Sequence, residues 1–338
     1  MQQYIGKPGP EKQTVLELLQ KEGIFLPADC GGRGTCGKCR VRFLSGAPEP
    51  AEEERKKLSP EQLSEGIRLA CRCCPSEPFV IEFEQAEEEI EAEGLGGSSV
   101  PAVSGSPEKE DGRRIAVDIG TTTIAAALLS GKDGTVLDTR TCINHQRAYG
   151  ADVISRIQAS NNGNREELQR LVQKDIGDLI EALGEDPETV PAVIAGNTTM
   201  QHLLLGLSCE TLGVAPFTPV DISLHREKNL LILPGISTYV GADITAGIVA
   251  CGMDLEEDVC MLIDLGTNGE MAIGSRDRIL VASTAAGPAF EGGNISCGVA
   301  GIPGAISRVT ITDGTAQCET IGGKPPVGLC GTGVLEVM

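Results

Sequence analysis

The sequence predicts an α/β protein of at least two domains, and three observations lead to this prediction. At 338 residues the chain is long enough for two or three domains, each with a buried core. Beyond residue 114, short apolar strands alternate with helical patterns, which is typical of α/β architecture. A strand that ends in Asp and leads into a Gly/Thr turn occurs at 115–123 and again at 261–269, which indicates two related halves.

The first domain is predicted to span residues 1–84. Apolar positions at helical spacing predict a helix over 11–22, which Gly23 ends. The run Ser59-Pro60-Glu61-Gln62 has the residues of a capping box, so a second short helix is expected to begin there. Two further segments are rich in apolar and β-branched residues and are predicted strands, 41–44 and 79–83.

A linker is predicted over 85–113, because this segment is Glu-rich and then Gly/Ser/Pro-rich, with too few large apolar groups to offset the entropy of ordering. The second domain is then 114–338, with a first half at about 114–257 and a second half at 258–338. A long amphipathic helix is expected at 164–183. Strands are predicted at 114–118, 123–129, 191–195, 230–233, 259–264 and 270–274.

Composition excludes several classes of partner. With 28 basic and 48 acidic residues the net charge is −20, which repels nucleic acid and anionic membranes. We therefore expect no nucleic-acid and no membrane partner. Residues 1–10 lack the pattern of a secretory signal, and no apolar run of about 18 residues occurs, so a cytoplasmic location is expected. Thirteen cysteines, an odd number, argue for metal ligation and buried thiols rather than a disulfide scaffold.

Four cysteines have the spacing of a [2Fe-2S] site. Cys30, Cys36 and Cys39 follow C-x5-C-x2-C within a Gly-rich loop, and Cys71 comes after a further 31 residues. Such a loop can wrap a cluster, since its small residues let backbone N–H groups approach the sulfurs. The spacing is similar to that of adrenodoxin-like ferredoxins, and it predicts low-potential one-electron transfer.

Other readings of the cysteines stay open at this point. Zinc is the main alternative, because Cys36/Cys39 and Cys71/Cys74 form two CxxC pairs, although the gap between the pairs is long for a zinc ribbon. Buried thiols without metal are a second alternative. Cys73 or Cys74 can also replace Cys71 as the fourth ligand.

The two repeated turns are candidate phosphate-binding loops. Their backbone N–H groups and hydroxyls suit phosphate, and an Asp at the end of a strand suits the water shell of Mg²⁺. Two ordinary hairpin turns are the alternative. The candidate residues are Asp118, Gly120, Thr121, Thr122 and Thr123 in the first loop, and Asp264, Gly266, Thr267, Asn268 and Gly269 in the second.

These motifs carry a resemblance to a known family. The two turns resemble the phosphate loops of the actin, sugar-kinase and heat-shock-chaperone superfamily, and 192–207 (AVIAGNTTMQHLLLGL) resembles its connecting segment. The order of cysteine domain, linker and ATPase-like domain resembles the reductive activators of corrinoid proteins. Three more motifs add to this resemblance: YGADVISRI at 149–157, LIDLGTNGE at 262–270 and AAGPAFEGGNISCG at 285–298.

The resemblance implies a small α+β ferredoxin-like (β-grasp) domain followed by a duplicated, ribonuclease-H-like actin-type ATPase domain. It implies a [2Fe-2S] cluster on Cys30, Cys36, Cys39 and Cys71, and ATP with Mg²⁺ on the two loops. The implied activity is ATP-dependent reduction of a corrinoid protein from cob(II) to cob(I). The implied partners are that corrinoid protein and a low-potential electron donor, and a homodimer is compatible with the resemblance.

Two expectations limit this interpretation. The superfamily places a Gly-rich adenosine loop after a late strand. This sequence stops at Met338 as a helix begins, so an incomplete second half is expected. The enzymatic activity of the chain therefore stays open. The alternative function is a non-enzymatic ferredoxin-type electron-transfer or nucleotide-sensing module. A small-molecule kinase fused to a ferredoxin is a third option.

Overall fold

The computed structural model describes residues 2–8, 13–28, 30–84, 112–266, 268–287, 295–299, 301–312 and 315–337. The chain divides into two compact units. The first unit comprises Met1–Glu88 and His145–Leu171, and the second comprises Glu89–Asn144 and Val172–Met338. Nearly all of the predicted linker lies outside the described residues, so its boundaries stay a prediction.

Four strands and three helices build the N-terminal part of the first unit: β1 (Gln2–Gly6), α1 (Val15–Lys21), β2 (Arg40–Ser45), α2 (Glu52–Lys57), α3 (Pro60–Ser64), β3 (Ile67–Leu69) and β4 (Phe79–Phe83). The strands form one antiparallel sheet in the order β1-β4-β2-β3. Alternate residues such as Val41, Phe43 and Ile81 are buried in one core with Leu16 and Leu19 of α1. This small sheet packed on a helix is the expected α+β domain.

Capping determines where the helices of this domain begin. The Thr14 hydroxyl accepts from the Glu17 backbone N–H at 3.2 Å, and the Glu17 carboxylate accepts from the Thr14 N–H at 2.8 Å. This capping box starts α1 at Val15. The sequence pattern predicts an earlier start, at 11, but 9–12 lie outside the described residues. The predicted capping box of Ser59 and Gln62 is confirmed at the start of α3.

A second segment completes the first unit. It contains a 3₁₀ turn (His145–Ala148), α4 (Val153–Ala159), a π-helical turn (Ser160–Asn164) and the beginning of α5 (Arg165–Ala182), which continues into the second unit. Within the π-helical turn Gly163 has φ of 97°, and no other atom lies within 4 Å of where its Cβ would be. The predicted amphipathic helix at 164–183 is therefore confirmed, with its regular part beginning after this kink.

A six-stranded sheet forms the first half of the second unit, in the order β7-β6-β5-β8-β10-β9. Its strands are β5 (Arg113–Ile119), β6 (Thr123–Ser130), β7 (Val136–Ile143), β8 (Ala192–Gly196), β9 (His225–Glu227) and β10 (Leu230–Ile232). The pairs β5/β8 and β8/β10 are parallel, and the other pairs are antiparallel. Two helices also belong to this half, α6 (Thr198–Leu205) and α7 (Ala242–Ala250).

The second half contains two three-stranded sheets and the last helix. Its elements are β11 (Cys260–Leu265), β12 (Asn268–Ser275), β13 (Arg278–Ala285), β14 (Ala305–Thr312), β15 (Thr315–Thr320), β16 (Gly328–Leu329) and α8 (Gly331–Val337). The sheets have the orders β11-β12-β13 and β15-β14-β16. The predicted repeat is visible in the pairing, because β5 with β6 and β11 with β12 are both antiparallel hairpins built around the Asp-x-Gly sequence.

A buried histidine connects α6 to the loop that follows it. The His202 side chain is fully buried, its Nε2 accepts from the Val220 backbone N–H at 3.0 Å, and its Nδ1 lies 2.7 Å from the Thr198 carbonyl oxygen. Because Nε2 accepts, the proton of the neutral ring must be on Nδ1, which donates to Thr198. Burial lowers the pKa of His202 below its usual 6.5, so the fold favours the neutral ring.

We expect the stability of the protein to fall in mild acid partly because of this side chain. A lowered folded-state pKa means that the contribution of His202 is complete above the unfolded value of 6.5 and is lost as the pH falls through the folded-state pKa. The His202→Gln variant cannot titrate. Urea unfolding midpoints at about pH 7.5 and about pH 5 should therefore fall more in the natural protein than in the variant. Equal losses in both proteins would contradict this assignment.

Candidate electron-transfer and nucleotide sites

The four predicted cluster cysteines meet as two pairs. Cys30, Cys36 and Cys39 lie on the loop between α1 and β2, and Cys71 lies two residues after β3. The Sγ atoms of Cys30 and Cys36 are 3.4 Å apart, and the side chains of Cys39 and Cys71 are hydrogen-bonded to each other. Among the described residues, no three His, Cys, Asp or Glu side chains converge as for one metal ion. Two neighbouring pairs of sulfurs match the needs of a cluster with two irons.

Backbone N–H groups of the loop, which we call the cluster loop (30–39), point toward these sulfurs. Burial opposes ionisation of Cys30, but hydrogen bonds from the backbone and side chains of Cys36 and Thr35 lower the pKa of its thiol to about 6. Burial raises the pKa of Cys36, although the amides of Lys38 and Cys30 act in the opposite direction. The loop therefore stabilises negative charge on the sulfur of Cys30, and the thiolate is the form that ligates a metal.

Three arginines hold the cluster loop through its carbonyl groups. Arg33 Nε donates to the Cys30 carbonyl oxygen at 2.9 Å, and Arg40 Nε donates to that of Gly37 at 3.0 Å. Arg72 Nη2 donates to the carbonyl oxygen of Arg33, while its buried Nε has no hydrogen-bond partner. The positive charge of Arg72 also acts on Cys71, where it opposes the rise in the pKa of that thiol.

The neighbouring cysteines have different surroundings. Cys73 is fully buried, and its thiol donates toward Glu54 Oε1 at 3.6 Å. Burial and the nearby Glu54 raise the pKa of Cys73, and the hydrogen bond to Cys39 together with burial raises that of Cys71, so the pairing with Cys39 rather than the pKa separates the two thiols. Cys74 is exposed, and all thirteen cysteines are free of disulfides. The geometry thus favours Cys71 over Cys73 and Cys74 as the partner of Cys39.

A cavity of about 1110 Å³ lies beside the cluster loop within the first unit. The residues that line it come from α1, from the cluster loop and from the segment 148–170. Cys30 and Cys71 belong to its wall, together with Arg33 and Arg72. Two of the four candidate ligands therefore border open space.

The first phosphate-type loop is held by two asparagines. The Asn144 N–H donates to the Thr122 carbonyl oxygen at 2.9 Å, and Asn144 Nδ2 donates to that of Gly120 at 2.9 Å. Asn197 caps α6 by accepting from the Met200 N–H at 3.0 Å, and its Nδ2 donates to Thr121 Oγ1 at 3.2 Å. Asn197 thus caps α6 and also contacts the loop itself.

The second phosphate-type loop joins β11 to β12. The Gly266 N–H donates to the Asn268 carbonyl oxygen at 2.9 Å, which closes the turn. Asp264 lies opposite Glu270 in the strand pairing. Thr267, a predicted site residue, lies outside the described residues.

Carboxylates from both loops influence one another electrostatically. Desolvation raises the pKa of Asp118 to about 6, and the charges of Asp243 and Asp264 add to the shift. Burial and then Asp243 raise the pKa of Glu270 to about 7. Desolvation also raises the pKa of Asp243 and of Asp264. The fold therefore brings the two predicted Asp residues into one acidic site, where a divalent cation would relieve the repulsion.

Sequence reasoning missed two members of this site. Asp243 lies in the first turn of α7, and no repeat or spacing in the sequence marks it. Glu270 directly follows the second predicted loop, within the motif LIDLGTNGE, and that position was an available signal. Glu270 was instead assigned to the predicted strand 270–274, so its carboxylate was not included among the candidate site residues.

Comparison with known proteins identifies three consecutive regions. Residues 7–76 match the 2Fe-2S iron-sulfur cluster binding domain, 114–256 match the RACo middle region, and 258–338 match the C-terminal domain of RACo, the ASKHA domain. The chain belongs to the RACo family. Residues 7–76 of this RACo-family chain thus form a ferredoxin-like domain, and 114–338 have the actin-like ATPase fold, as predicted.

Individual relatives agree with this assignment. The corrinoid activation enzyme RamQ of Eubacterium limosum is 35% identical over 246 residues, which are 66% of this chain and 41% of that protein. The [Co(II) methylated amine-specific corrinoid protein] reductase of Methanosarcina barkeri is 41% identical over 81 residues, 24% of this chain and 15% of that protein. A solved reductive activator for a corrinoid, iron-sulfur protein matches 99% of this chain and 72% of its own, with 27% identity and a TM-score of 0.59.

The aligned regions cover only part of each curated relative. The chain spans about two fifths of RamQ, and the match to the Methanosarcina reductase is confined to a short region. In the part of the chain that the structure describes, none of the helices has both the length and the apolar character needed to cross a bilayer.

Matched cysteine variants test the assignment of ligands. We expect Cys71→Ala to lose the iron and the paramagnetic signal of the reduced cluster, because Cys39 loses its partner. Cys74→Ala should keep both, since Cys74 is exposed. Cys73→Ala should also keep the iron but lower the free energy of unfolding by roughly 1 kcal/mol, because it empties part of the core. Iron analysis and spectra after anaerobic reduction distinguish these results, and iron retained by Cys71→Ala would refute the assignment.

Proposed function

We propose that this protein is an ATP-dependent reductive activator of a corrinoid protein, which it returns from cob(II) to cob(I). The observation that supports this most is the joining, in one chain, of a thiol site built for a two-iron cluster to an acidic two-loop site of the ASKHA type. Relatives named for corrinoid activation support the same substrate class. The electron donor is proposed to be a low-potential protein or reductant.

The cluster would be held by Cys30 and Cys36 on one iron and by Cys39 and Cys71 on the other, following the observed pairing. A bound [2Fe-2S] cluster supplies a one-electron store of low potential. The role of the chain is to favour the thiolate of Cys30 and to hold the loop. The backbone amides around Cys30 and the guanidinium groups of Arg33 and Arg72 perform these tasks.

ATP with Mg²⁺ would be held by the two loops of the second unit. Gly120, Thr121, Thr122 and Thr123 would bind phosphate in the first loop, and Gly266, Thr267, Asn268 and Gly269 would do so in the second. Asp118 and Asp264 are the carboxylates proposed to hold the water shell of the cation. The proposed set also includes Asp243 and Glu270, because their charges interact with those two carboxylates.

Location and assembly complete the proposal. A cytoplasmic location suits thirteen cysteines without a disulfide, because a reducing compartment preserves thiols. A homodimer is proposed on the resemblance alone.

Binding of Mg²⁺ with nucleotide should depend on pH because of the raised carboxylate pKa values. Protonated carboxyls do not attract Mg²⁺, so affinity should rise as the pH increases through about 6, where Asp118 ionises, and about 7, where Glu270 ionises. Glu270→Gln should remove the upper step. Asp133→Asn, on an exposed turn, is the matched control and should keep both steps. Calorimetric titration across this pH range checks the expectation, and a flat profile for the natural protein would contradict it.

A corrinoid assay tests the activity itself. With a chemical reductant and a cob(II) corrinoid protein, MgATP should accelerate the appearance of the cob(I) absorbance, and the corrinoid protein should raise ATP hydrolysis. Cys36→Ala should lose the reduction, and Asp118→Asn should lose its dependence on ATP. Reduction at the same rate with and without ATP would instead favour the electron-transfer module, and a phosphorylated small-molecule product would favour a kinase.

A further inference from the structure

Glu54 of α2 is a fully buried acidic residue that has no role in either site described above. Glutamate is almost never buried completely unless its carboxylate has partners. We propose that Glu54 is a positioning residue for the cluster: its carboxylate holds the turn 69–73, here called the Cys71 turn, and its negative charge keeps the reduction potential low. This inference rests on the cluster of the proposed function, but it requires neither ATP nor a corrinoid partner.

Both oxygens of the Glu54 carboxylate accept hydrogen bonds. Oε2 accepts from the Ala51 N–H at 2.8 Å, which caps the start of α2. Oε1 accepts from the Leu69 N–H at 2.8 Å and from the Cys73 thiol at 3.6 Å. Since two N–H groups and a thiol all donate to it, Glu54 acts purely as an acceptor, which is the chemistry of the ionised carboxylate. Glu54 therefore connects α2 to both ends of the Cys71 turn.

The Cys71 turn is the segment that carries Cys71 to Cys39. Leu69 ends β3 and lies two positions before Cys71. The N–H of Ala70 donates to the Cys39 carbonyl oxygen at 2.8 Å, and the side chains of Cys39 and Cys71 are hydrogen-bonded to each other. Because Glu54 holds the Leu69 N–H, it restricts the direction in which the chain brings Cys71 toward Cys39.

Helix α1 holds the other side of the Cys71 turn through the backbone. The Leu16 N–H donates to the Ala70 carbonyl oxygen at 3.1 Å, and the Val15 N–H donates to that of Cys73 at 2.8 Å. These two bonds do not depend on the side chain of residue 54. We therefore expect replacement of Glu54 to change the geometry of the turn while leaving the turn attached to α1.

The interior around Glu54 makes its charge effective. Leu69 and Cys73, which both donate to Glu54, have no solvent exposure, and they share one apolar core with Cys39 and Cys71. A charge acts more strongly in such an interior than in water. Because reduction adds a negative charge to a cluster, a buried carboxylate that holds the Cys71 turn disfavours the reduced form and lowers the potential.

Arg68 is a buried group of opposite charge next to Leu69. Its Nη1 donates to the carbonyl oxygens of Leu63 and Ile67 at 2.9 and 2.8 Å. The charge of Arg68 offsets part of the effect of Glu54. It stays in place when Glu54 is replaced, so a change in the potential between variants reports on Glu54.

Glu54→Gln tests the charge in the full chain after anaerobic reconstitution. Glutamine is nearly isosteric and keeps one acceptor oxygen for Leu69, but it is neutral. We expect iron to be retained and the potential to rise, so that the ratio of reduced to oxidised cluster at a fixed solution potential increases at least about tenfold, or about 59 mV. Glu52→Gln is the matched control, because it removes the same charge from an exposed position of α2, where Glu52 pairs with Lys56 at 2.6 Å.

Glu54→Asp tests the positioning. Aspartate keeps the charge but is one methylene shorter, so it cannot reach the N–H groups of Ala51 and Leu69 together. We expect a chelator to remove iron from this variant at least about threefold faster than from the natural protein, because one hydrogen bond of the Cys71 turn is lost. Glu52→Gln should lose iron at the natural rate.

Redox titration followed by paramagnetic resonance gives the potential, and visible absorbance gives the rate of iron loss. A natural potential in Glu54→Gln would refute the electrostatic part, and a natural rate of iron loss in Glu54→Asp would refute the positioning. Urea unfolding of the iron-free forms shows whether each variant folds. Each variant that folds decides its own part, and if neither folds, Glu54 serves the fold rather than the cluster and the inference is wrong.

The failure of this inference differs from failure of the proposed function. A natural protein that holds no cluster after reconstitution would refute both. Variants that behave as expected, in a protein that reduces no corrinoid protein with MgATP, would refute the proposed function and leave the role of Glu54 intact. Full activity of the natural protein with unchanged Glu54 variants would refute the inference alone.

Discussion

Burial of closely spaced acidic groups is the constraint on which both sites of this protein depend. Each site gathers negative groups in a chain whose net charge is already −20. In the N-terminal domain these groups are thiols in two pairs, and in the ATPase-like unit they are carboxylates whose pKa values are raised to about 6 and about 7. Backbone amides and arginines offset the charge at the sulfurs. Ser283 Oγ donates to Glu270 at 3.2 Å, but desolvation still raises the pKa values of Asp118, Asp243, Asp264 and Glu270.

Much of this could be predicted from the sequence, because the decisive signals are local. The spacing of Cys30, Cys36 and Cys39 and the repeated Asp-x-Gly turns are short patterns, and capping residues such as Ser59 mark where a helix begins. The strands with strong apolar alternation, such as β4, were also predicted correctly. A local sequence pattern is sufficient to predict a feature when the residues that form it are close in sequence.

The features that were missed depend on distant partners. Strand β1 is identified mainly by its pairing with β4, about 75 residues later, and α2 is a run of charged residues without an apolar stripe. Asp243 joins the acidic site only because α7 carries it there, and nothing near it in the sequence suggests a ligand. Likewise, no pattern indicates that 145–171 packs with the N-terminal domain, since the two are separated by the linker in sequence.

The π-helical turn before α5 has a consequence for how this protein tolerates mutation. Gly163 has open space where a side chain would stand, so a survey of packing alone would rank it among the most replaceable positions. Its φ of 97° lies in the positive region of backbone dihedral angles, which branched and bulky residues avoid. Substitution of Gly163 is thus restricted by backbone geometry rather than by crowding. Among natural sequences, glycine should dominate this position, with asparagine and aspartate as the chief substitutes.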